Sequence, residues 1–480
     1  MGDNSPHIIS IHILDDDSLL NIFYLYRPYF LGEDENDLDR LIGGRELWDR
    51  GRWWYQLAHV CQRWRNLIFG SASYLGLSLI CTNGTPVENM LAHSPPLPLA
   101  VDYDSEDGIT TEDEKGIFLA LEKRHRVRHL RLFFPVQKLQ KFFAAIDGEF
   151  PILEHLILNR WAKDSTASLM LPEALQAPHL RHLMLRGFAH PIRSRLHPTA
   201  AGIVTLCLIT IRPSAYFQPD ILLEWISFMS HLESLEITFT FPVPNRDVQR
   251  QLAHTPITTH ITLPNLRLFR FRGVSAYLEA VVGRIMTPRL ETLQIRLFKQ
   301  LTFSVPCLTQ FMNITGNLRF DNAEIMVKDK AIFVGTFFRE ADTDAFSLKI
   351  DCWQVDWQLS SVAQISNALS QVFSAVEQLT LVHEVHNQSF EEHNDVDVDR
   401  IQWRNLLRSF SNVKILRIKD GLVEELSRCL RLEDKEFPLE LLPELQELTY
   451  SGSRDTDDAF TSFIDARQNA GRPVTLVRLE

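Results

Sequence analysis

The chain has 480 residues, of which 45% are hydrophobic and 23% are charged, so it is ordered but too long for one compact core. Its formal net charge of -12 argues against nucleic acid or an anionic membrane as partner, because neutralising phosphates requires a net basic face. No window approaches the ~18 uninterrupted apolar residues of a membrane helix. The six cysteines include no C-x-x-C pair, which favours a reducing compartment, cytoplasmic or nuclear.

Two helices are predicted near the N terminus. Residues 14–27 begin with aspartates suited to capping a helix, and Pro28 ends the segment. Residues 52–69 form one predicted helix, whose apolar stripe at helical spacing consists of Trp54, Leu57, Cys61, Trp64 and Ile68. The residues between them, 28–52, are acidic and contain glycines, so we expect an exposed inserted loop.

One apolar pattern then recurs to the end of the chain: an apolar residue, two others, an apolar residue, one other and an apolar residue. Clear instances are Tyr74/Leu77/Leu79, Val127/Leu130/Leu132, Leu153/Leu156/Leu158, Leu180/Leu183/Leu185, Ile203/Leu206/Leu208, Leu232/Leu235/Ile237, Leu266/Phe269/Phe271, Leu290/Leu293/Ile295, Ala345/Leu348/Ile350, Val376/Leu379/Leu381, Val413/Leu416/Ile418, Leu445/Leu448/Tyr450 and Val474/Val477/Leu479. Such a repeat is typical of leucine-rich repeats, whose periods are ~20 to 29 residues.

Segments with helical spacing separate many of the triplets, for example KLQKFFAAI, ILLEWISFM and WRNLLRSF. Proline recurs two residues ahead of the first apolar position, at Pro151, Pro178, Pro264, Pro288 and Pro443. Because proline cannot donate a ladder hydrogen bond, we interpret it as the lead-in to a strand. Strand followed by helix, repeated, predicts a solenoid shaped as a horseshoe. The alternative is a doubly wound α/β domain, which would not repeat one strand signature a dozen times.

The N-terminal segment from Leu14 to Phe23, followed by LAHVCQRWRNLIFGSASYLGLSL, resembles an F-box, the motif that docks on the adaptor Skp1 in cullin-RING ubiquitin ligases. Asp15 stands where the family usually has proline, and about 25 residues separate the two helices that the family joins tightly. The resemblance implies that the apolar positions of the motif form its core and its contact with Skp1. These positions are Leu14, Leu19, Ile22, Phe23, Leu57, Val60, Cys61, Trp64 and Leu67.

The whole chain resembles fungal F-box proteins with irregular leucine-rich repeats. The predicted fold class is therefore α/β, with a short F-box-like helical module over residues 8–75 and a leucine-rich-repeat solenoid over 76–480. Two short helices before a repeat array are also what an N-terminal cap requires. Docking needs Leu14 and Phe23 partly exposed, whereas a pure cap buries them against the first repeat.

A target-binding surface is predicted on the concave face of the solenoid, formed by residues that alternate with the buried positions of each triplet. We expect His129, His155 and His182 to form a column on consecutive strands. The other predicted members of this face are Arg131, Arg186, Arg270, Arg272, Arg296, Lys349 and Arg417. With few carboxylates among them, Glu236 and Asp351 included, the face is predicted to be net basic and to bind an acidic or phosphorylated segment. The alternative is that basic side chains merely solvate the sheet.

No nucleotide, hydrolase or metalloprotease motif occurs, so we expect no enzyme activity and no cofactor. The segment from His383 through His386 to His393 is the best metal candidate, but its spacing favours a solvated loop, and no metal site is predicted. The acidic run at 102–114 is likewise predicted to be a flexible loop.

The resemblance implies a substrate-recognition adaptor of a Skp1–cullin–F-box ubiquitin ligase that binds an unknown protein target through its repeats. The alternative is a leucine-rich-repeat scaffold or sensor without a ligase role. An electrostatic map with a neutral or negative inner face would contradict the acidic-target hypothesis.

Overall fold

The computed structural model describes residues 13–27, 52–104, 108–160, 169–188, 195–196, 200–210, 216–240, 260–298, 300, 303–315, 318, 320–328, 330–337, 345–352, 355–384, 396–419, 421–431, 440–451 and 459–479. The chain divides into two compact units. Unit 1 comprises Met1–Thr166, Leu171–Leu185 and Arg193–Ala200, and unit 2 comprises Ala167–Met170, Arg186–Ile192 and Ala201–Glu480. The predicted division after residue 75 stays a prediction.

Unit 1 contains the N-terminal helices and the first strands of the repeat. Its elements are α1 (Asp16–Tyr26), α2 (Trp53–Ala58), α3 (Gln62–Gly70), β1 (Leu79–Cys81), α4 (Val87–His93), β2 (Leu99–Asp104), α5 (Thr111–Glu122), β3 (Val127–Phe134), α6 (Val136–Ile146), β4 (His155–Arg160) and β5 (His182–Arg186), whose last residue is counted with unit 2. The strands follow one another in the order β1-β2-β3-β4-β5. Each of the pairs β1–β2, β2–β3 and β3–β4 is parallel.

Unit 2 continues the alternation of strand and helix. Its elements are β6 (Thr205–Thr210), α7 (Pro219–Ile226), β7 (Ser234–Phe239), β8 (Ile261–Thr262), β9 (Leu268–Gly273), α8 (Ser275–Val282), β10 (Ile285–Met286), β11 (Thr292–Phe298), α9 (Pro306–Ile314), β12 (Asn322–Lys328), β13 (Ala331–Phe337), β14 (Phe346–Asp351), α10 (Val355–Ala368), α11 (Ser370–Phe373), β15 (Gln378–Glu384), α12 (Val396–Leu407), β16 (Ile415–Ile418), α13 (Val423–Leu430), β17 (Glu447–Ser451), α14 (Thr461–Asn469) and β18 (Thr475–Leu479). The main sheet of this unit runs β6-β7-β9-β11-β14-β13-β12-β15-β16-β17-β18, and β8 and β10 form a separate pair.

The repeated apolar triplet builds the core because neighbouring strands pair in register. Leu130 on β3 lies opposite Leu156 on β4, and Leu132 lies opposite Leu158. All four side chains are buried. Burial of one leucine side chain stabilises the fold by roughly 1.5–3 kcal/mol, so a column of such residues, one per repeat, supplies the cohesion that successive strands need.

The recurrent prolines belong to tight turns rather than to the strands themselves. Pro151, Pro178 and Pro288 each follow a residue whose carbonyl accepts a hydrogen bond from the first apolar residue of the triplet, as in Leu153 N–H to Phe150 O at 3.3 Å. Proline therefore occupies the second position of a four-residue turn, where its fixed φ is favourable. The turn delivers the chain to the next strand, which explains the constant spacing from proline to leucine.

Three strands of unit 2 depart from the simple repeat. Strand β13 pairs antiparallel with both β12 and β14, while β14 is parallel to β11 and β12 is parallel to β15. The sequence pattern identified no triplet between those at Leu290 and Ala345, so it did not predict β12 and β13. An antiparallel excursion thus lies inside an otherwise parallel sheet.

The segment 52–69 is two helices and not the single helix predicted. Helix α2 ends at Ala58, and α3 begins after Cys61, whose φ of -158° and ψ of 169° are extended. Val60 N–H donates to Leu57 O at 3.2 Å in a tight turn. The predicted helix 14–27 is confirmed as α1, and Asp15 caps it by accepting a 2.6 Å hydrogen bond from Ser18 N–H.

The prediction of a flexible loop over 102–114 is wrong for the described residues of that run. Asp102 and Asp104 lie in β2, Thr110 is the N-cap of α5, and residues 111–114 form the first turn of that helix. Thr110 and Asp113 form a reciprocal capping box, with Asp113 N–H donating to Thr110 Oγ1 at 3.1 Å and Thr110 N–H donating to Asp113 Oδ2 at 2.9 Å. Acidic residues are favourable there because they complement the positive end of the helix.

Alternating strands and helices, with a buried apolar triplet at most of the parallel strands, give both units the architecture of a leucine-rich-repeat array. The fold class is therefore mixed α/β, with predominantly parallel strands. Among the described residues, every helix is too short or too polar to cross a bilayer.

Candidate functional site

Three histidines lie side by side on neighbouring strands of unit 1. His129 on β3 is in register with His155 on β4, and their ring centroids are 4.3 Å apart at an interplanar angle of 71°. The His155 ring stacks on that of His182 on β5, at 4.2 Å and 8°. All three residues are half-buried. The predicted histidine column is thus confirmed as geometry, while its role in target binding stays a prediction.

Burial keeps two members of the histidine column uncharged. Desolvation, together with the nearby Arg128 and His182, lowers the pKa of His129 to about 3. Desolvation, together with His129 and His182, also holds the pKa of His155 far below its ordinary value. These two imidazoles are neutral at neutral pH, so they add no positive charge to this face of the sheet.

One carboxylate stands beside the column. Glu154 directly precedes β4, and its backbone oxygen accepts hydrogen bonds from Arg181 N–H and His182 N–H, both at 2.9 Å. Its side-chain Oε2 lies 2.8 Å from Arg128 Nε. One nitrogen from each of His129 and His155 and one Glu154 oxygen all lie within 4.8 Å of one another. We call these three residues the His–Glu cluster.

The sequence search missed the His–Glu cluster because its members are far apart along the chain, and its metal candidate lay elsewhere. His386 and His393 of that candidate lie outside the described residues. A usable signal was present: histidine occupies the position just before the second apolar residue of consecutive triplets, in VRHLRL, LEHLIL and LRHLML. Parallel register converts that sequence identity into spatial contact.

The predicted exposure of Arg131 is wrong, because its side chain is buried. Arg131 is 7% exposed and its Nη1 lies 2.7 Å from Asp102 Oδ1. Asp104 Oδ2 lies 3.6 Å from Arg131 Nη2. Two carboxylates on β2 therefore face Arg131 on β3, so Arg131 adds no net positive charge to this face. Desolvation of a charge demands a partner, which β2 supplies.

Basic residues do cluster on the corresponding face of unit 2. In the row formed by β9, β11 and β14, Arg272 is in register with Arg296, and Arg296 with Lys349. Asp351 accepts a hydrogen bond from Arg296 Nε at 2.8 Å and one from Arg272 Nη2 at 3.5 Å. Two guanidinium groups thus share one carboxylate, and Lys349 adds a third cation to the same row. Desolvation and the charge of Arg296 lower the pKa of Lys349.

The remaining predicted target-binding residues are more dispersed. Arg270 lies in the row below, where its Nε donates to Gln294 Oε1 at 2.9 Å and its Nη1 lies 3.9 Å from Glu236 Oε2. Arg417 on β16 is flanked by Thr380 and Thr449. Arg186 ends β5 and is half-buried. These residues do not join Arg272, Arg296 and Lys349, which we call the basic cluster.

The predicted partner-binding residues of the N-terminal helices split into buried and exposed groups. Leu19 and Phe23 are buried, and the Phe23 ring meets Trp64 edge-on at 4.8 Å. Ile22 is 43% exposed and Val60 58% exposed. The half-buried members are Leu14, Leu57, Cys61, Trp64 and Leu67. Leu19 and Phe23 therefore form the core of this module, and the criterion of an exposed Phe23 is not met.

A second apolar stripe covers the outer side of α1. Ile22, Leu25 and Tyr26 are spaced i, i+3 and i+4, and they are 43%, 81% and 56% exposed. The Tyr26 ring lies 6.3 Å from that of Trp53 on α2, and the described part of the chain leaves the rest of the stripe largely exposed. The helix is fixed from its other end by Arg63, which donates to Asp16 Oδ1 at 2.7 Å and to Leu14 O at 2.6 Å. The inserted segment predicted at 28–52 lies outside the described residues except for Arg52.

No protein-family model and no curated protein matches the chain. Among solved structures, it is similar to the leucine-rich-repeat-containing protein LegL7 from Legionella pneumophila, with 11% sequence identity and a TM-score of 0.25. The likeness covers 82% of this chain and 98% of LegL7. At that TM-score it carries no argument about function.

Proposed function

We propose that the chain is the substrate-recognition adaptor of a Skp1–cullin–F-box ubiquitin ligase. In this proposal the N-terminal helices bind a Skp1-like adaptor within the cullin complex, and the repeats bind a protein target. The adaptor then holds the target close to the other subunits of the ligase, and those subunits catalyse the transfer of ubiquitin. The adaptor itself needs no catalytic residue.

The observation that supports this proposal best is the exposed stripe of Ile22, Leu25 and Tyr26. Helix α1 buries Leu19 and Phe23 on its inner side, while Ile22 and Leu25 of the outer stripe stay 43% and 81% exposed and only Tyr26 of the stripe approaches an aromatic ring of α2 among the described residues. Exposed apolar surface of this kind is typical of partner-binding sites. It adds to the sequence resemblance, which rests on the same helix and on HVCQRW.

The basic cluster supports an acidic or phosphorylated segment as the target. Arg272 and Arg296 each present a planar guanidinium, which pairs well with carboxylate and phosphate oxygens. They share Asp351, and Lys349 adds a third cation in the same row, so cationic charge exceeds anionic charge within this cluster. The acidic-target hypothesis therefore moves from the whole face to this cluster.

The alternative is a leucine-rich-repeat scaffold or sensor whose N-terminal helices only cap the array. It is favoured by the contact of α1 with the turn before β1, where Tyr74 donates to Asn21 Oδ1 at 3.2 Å and the Tyr24 and Tyr74 rings are 5.4 Å apart. A cap explains these contacts but not the exposure of Leu25, which the described residues leave 81% exposed.

The two functions are separated by binding of the full-length chain to purified Skp1. We expect micromolar or tighter binding that Leu25→Asp weakens at least about tenfold, since a central interface residue is worth ~2 kcal/mol or more. The matched control is Phe228→Asp in unit 2, which replaces an apolar side chain that is 56% exposed. Absence of binding by the folded wild-type chain, or equal loss in both variants, would favour the scaffold.

A further inference from the structure

The His–Glu cluster has the composition and placement of a metal site. Its donors are two imidazoles and one carboxylate, the ligand types that divalent zinc accepts alongside cysteine. Magnesium and calcium prefer sites made of oxygen alone, which disfavours them here. All three residues are half-buried, so an ion can reach them from solvent. We propose that His129, Glu154 and His155 bind a divalent transition-metal ion, zinc foremost.

The backbone holds the three donors in place independently of any ion. His129 and His155 are opposite one another in a parallel pair of strands, so their side chains leave the same face of the sheet in adjacent positions. Glu154 is held by the backbone hydrogen bonds that its oxygen accepts from Arg181 and His182. The register of β3 and β4 and the turn before β4 therefore bring the three side chains close together.

The distances suit capture of an ion after small side-chain movements. The donor atoms lie within 4.8 Å of one another, and zinc bonds of about 2.0–2.2 Å bring donors closer together than that. Rotation about the side-chain bonds of the two histidines supplies the approach. His182 stacks on the His155 ring and restricts its orientation.

Arg128 is the competitor that the ion must accommodate. Its Nε lies 2.8 Å from Glu154 Oε2. A carboxylate has two oxygens and about four acceptor positions, so Glu154 is able to face Arg128 and an ion together. The Arg128–Glu154 ion pair does not account for the approach of one nitrogen from each histidine to within 4.8 Å of a Glu154 oxygen, which a metal site does account for.

Three protein ligands leave at least one coordination position on zinc for water or for a ligand from outside the chain. The inference concerns an ion on the repeat face of unit 1 and holds whether or not the chain acts in a ligase. The His–Glu cluster also differs chemically from the basic cluster, because its nitrogen and oxygen atoms can donate lone pairs to a metal ion, whereas the basic cluster presents cationic side chains.

Calorimetric titration of the full-length, chelator-treated and tag-free chain with zinc chloride tests the site. We expect one saturable site in the wild type that His129→Gln and His155→Gln each weaken at least about 100-fold, because loss of even an outer-sphere partner costs about 10–100-fold in metal affinity. Glu154→Gln should weaken it too. The control is His125→Gln, an exposed histidine of the same unit, which should bind as the wild type does.

X-ray absorption spectroscopy of the zinc-loaded wild type tests the same site without any substitution. The expected spectrum contains at least two imidazole nitrogens and carboxylate oxygen in the first coordination shell. An oxygen-only shell, or one imidazole at most, would overturn the proposal. So would zinc affinity that is unchanged in His129→Gln and His155→Gln, or reduced equally in His125→Gln.

Discussion

Arg131 and Asp102 form an ion pair on neighbouring strands of unit 1, with 2.7 Å between Nη1 and Oδ1 and both side chains less than a tenth exposed. The two residues are directly in register between β2 and β3. A charge in such surroundings persists only with its partner, since desolvation of an unpaired ion costs several kcal/mol. The ion pair therefore links β2 to β3, and the Arg131 side chain is paired within the protein.

Removal of the carboxylate should destabilise unit 1 strongly. We expect Asp102→Ala to lower the free energy of unfolding by about 3–5 kcal/mol, because the buried Arg131 loses its 2.7 Å ion-pair partner and Asp104 lies farther away, at 3.6 Å. Urea denaturation monitored by circular dichroism measures the change. The double variant Asp102→Leu with Arg131→Met should recover much of the loss.

An exposed ion pair of the same unit supplies the control. Lys115 Nζ and Glu88 Oε2 are 2.6 Å apart, but both side chains are more than half exposed. Glu88→Ala should leave the unfolding transition within experimental error, because solvent screens such a pair. Equal midpoints for Asp102→Ala and Glu88→Ala would show that the pair of Asp102 and Arg131 does not support the fold.

Substitution of two adjacent residues of α1 should change the stability of unit 1 to very different extents. Phe23 is buried against Trp64, so Phe23→Ala should cost about 3–5 kcal/mol of stability. Ile22→Ala should change stability little, because its side chain is 43% exposed. Hydrogen–deuterium exchange of peptides from 16–27 measures both: exchange should accelerate in the first variant only.

This contrast also determines which variants test Skp1 binding. A loss of binding in Phe23→Ala would follow from unfolding of α1 alone, whereas a loss in Ile22→Ala with unchanged exchange would report the interface. Unchanged exchange in Phe23→Ala would contradict the assignment of Phe23 to the core.

Apolar periodicity predicted most strands, since apolar residues at positions i, i+3 and i+5 of each repeat leave few alternatives to a buried strand. Strand β2 was not predicted because its triplet is incomplete: Pro96 occupies the first apolar position ahead of Leu99 and Val101. Strand β12 does fit the pattern, at Phe320, Ala323 and Ile325, but with alanine in the middle. The apolar pattern does not predict strand direction, because the alternation of β13 is the same for an antiparallel strand as for a parallel one.

The candidate site was predictable only in part. The histidine column followed from the repeat, because equal positions in parallel strands become neighbours. The burial of Arg131 did not, since it depends on Asp102 in a strand that the pattern missed. Glu154 lies at a strand entrance outside the alternation, so its approach to the histidines required the backbone geometry of the turn after Pro151.

Gly273 should not tolerate a side chain. A Cβ at this position would lie 2.7 Å from the Phe271 ring and 3.0 Å from that of Phe239, in a cluster that also includes Tyr277. We expect Gly273→Ala to destabilise unit 2 by about 1–3 kcal/mol through overpacking. Thermal unfolding of the full-length chain measures it.

Gly70 provides the matched glycine control. A Cβ there would have no neighbour within 4 Å, and the residue ends α3 without a positive φ. Gly70→Ala should therefore be neutral or stabilising by up to about 1 kcal/mol, because alanine favours helix. A stable Gly273→Ala protein would mean that the aromatic cluster has room to rearrange.

The basic cluster should determine binding of acidic segments. We expect Arg272→Ala with Arg296→Ala to reduce binding of the full-length chain to an array of acidic and phosphorylated peptides by at least about tenfold, because each charge-assisted hydrogen bond is worth ~1.5–3 kcal/mol. Arg267→Ala is the control: its side chain is half exposed, and its nearest carboxylate oxygen, on Glu291, is 3.9 Å away. Binding through the cluster should also weaken as salt rises, since mobile ions screen exposed charges. Equal binding by the double variant and by Arg267→Ala would show that these arginines serve only to pair with Asp351.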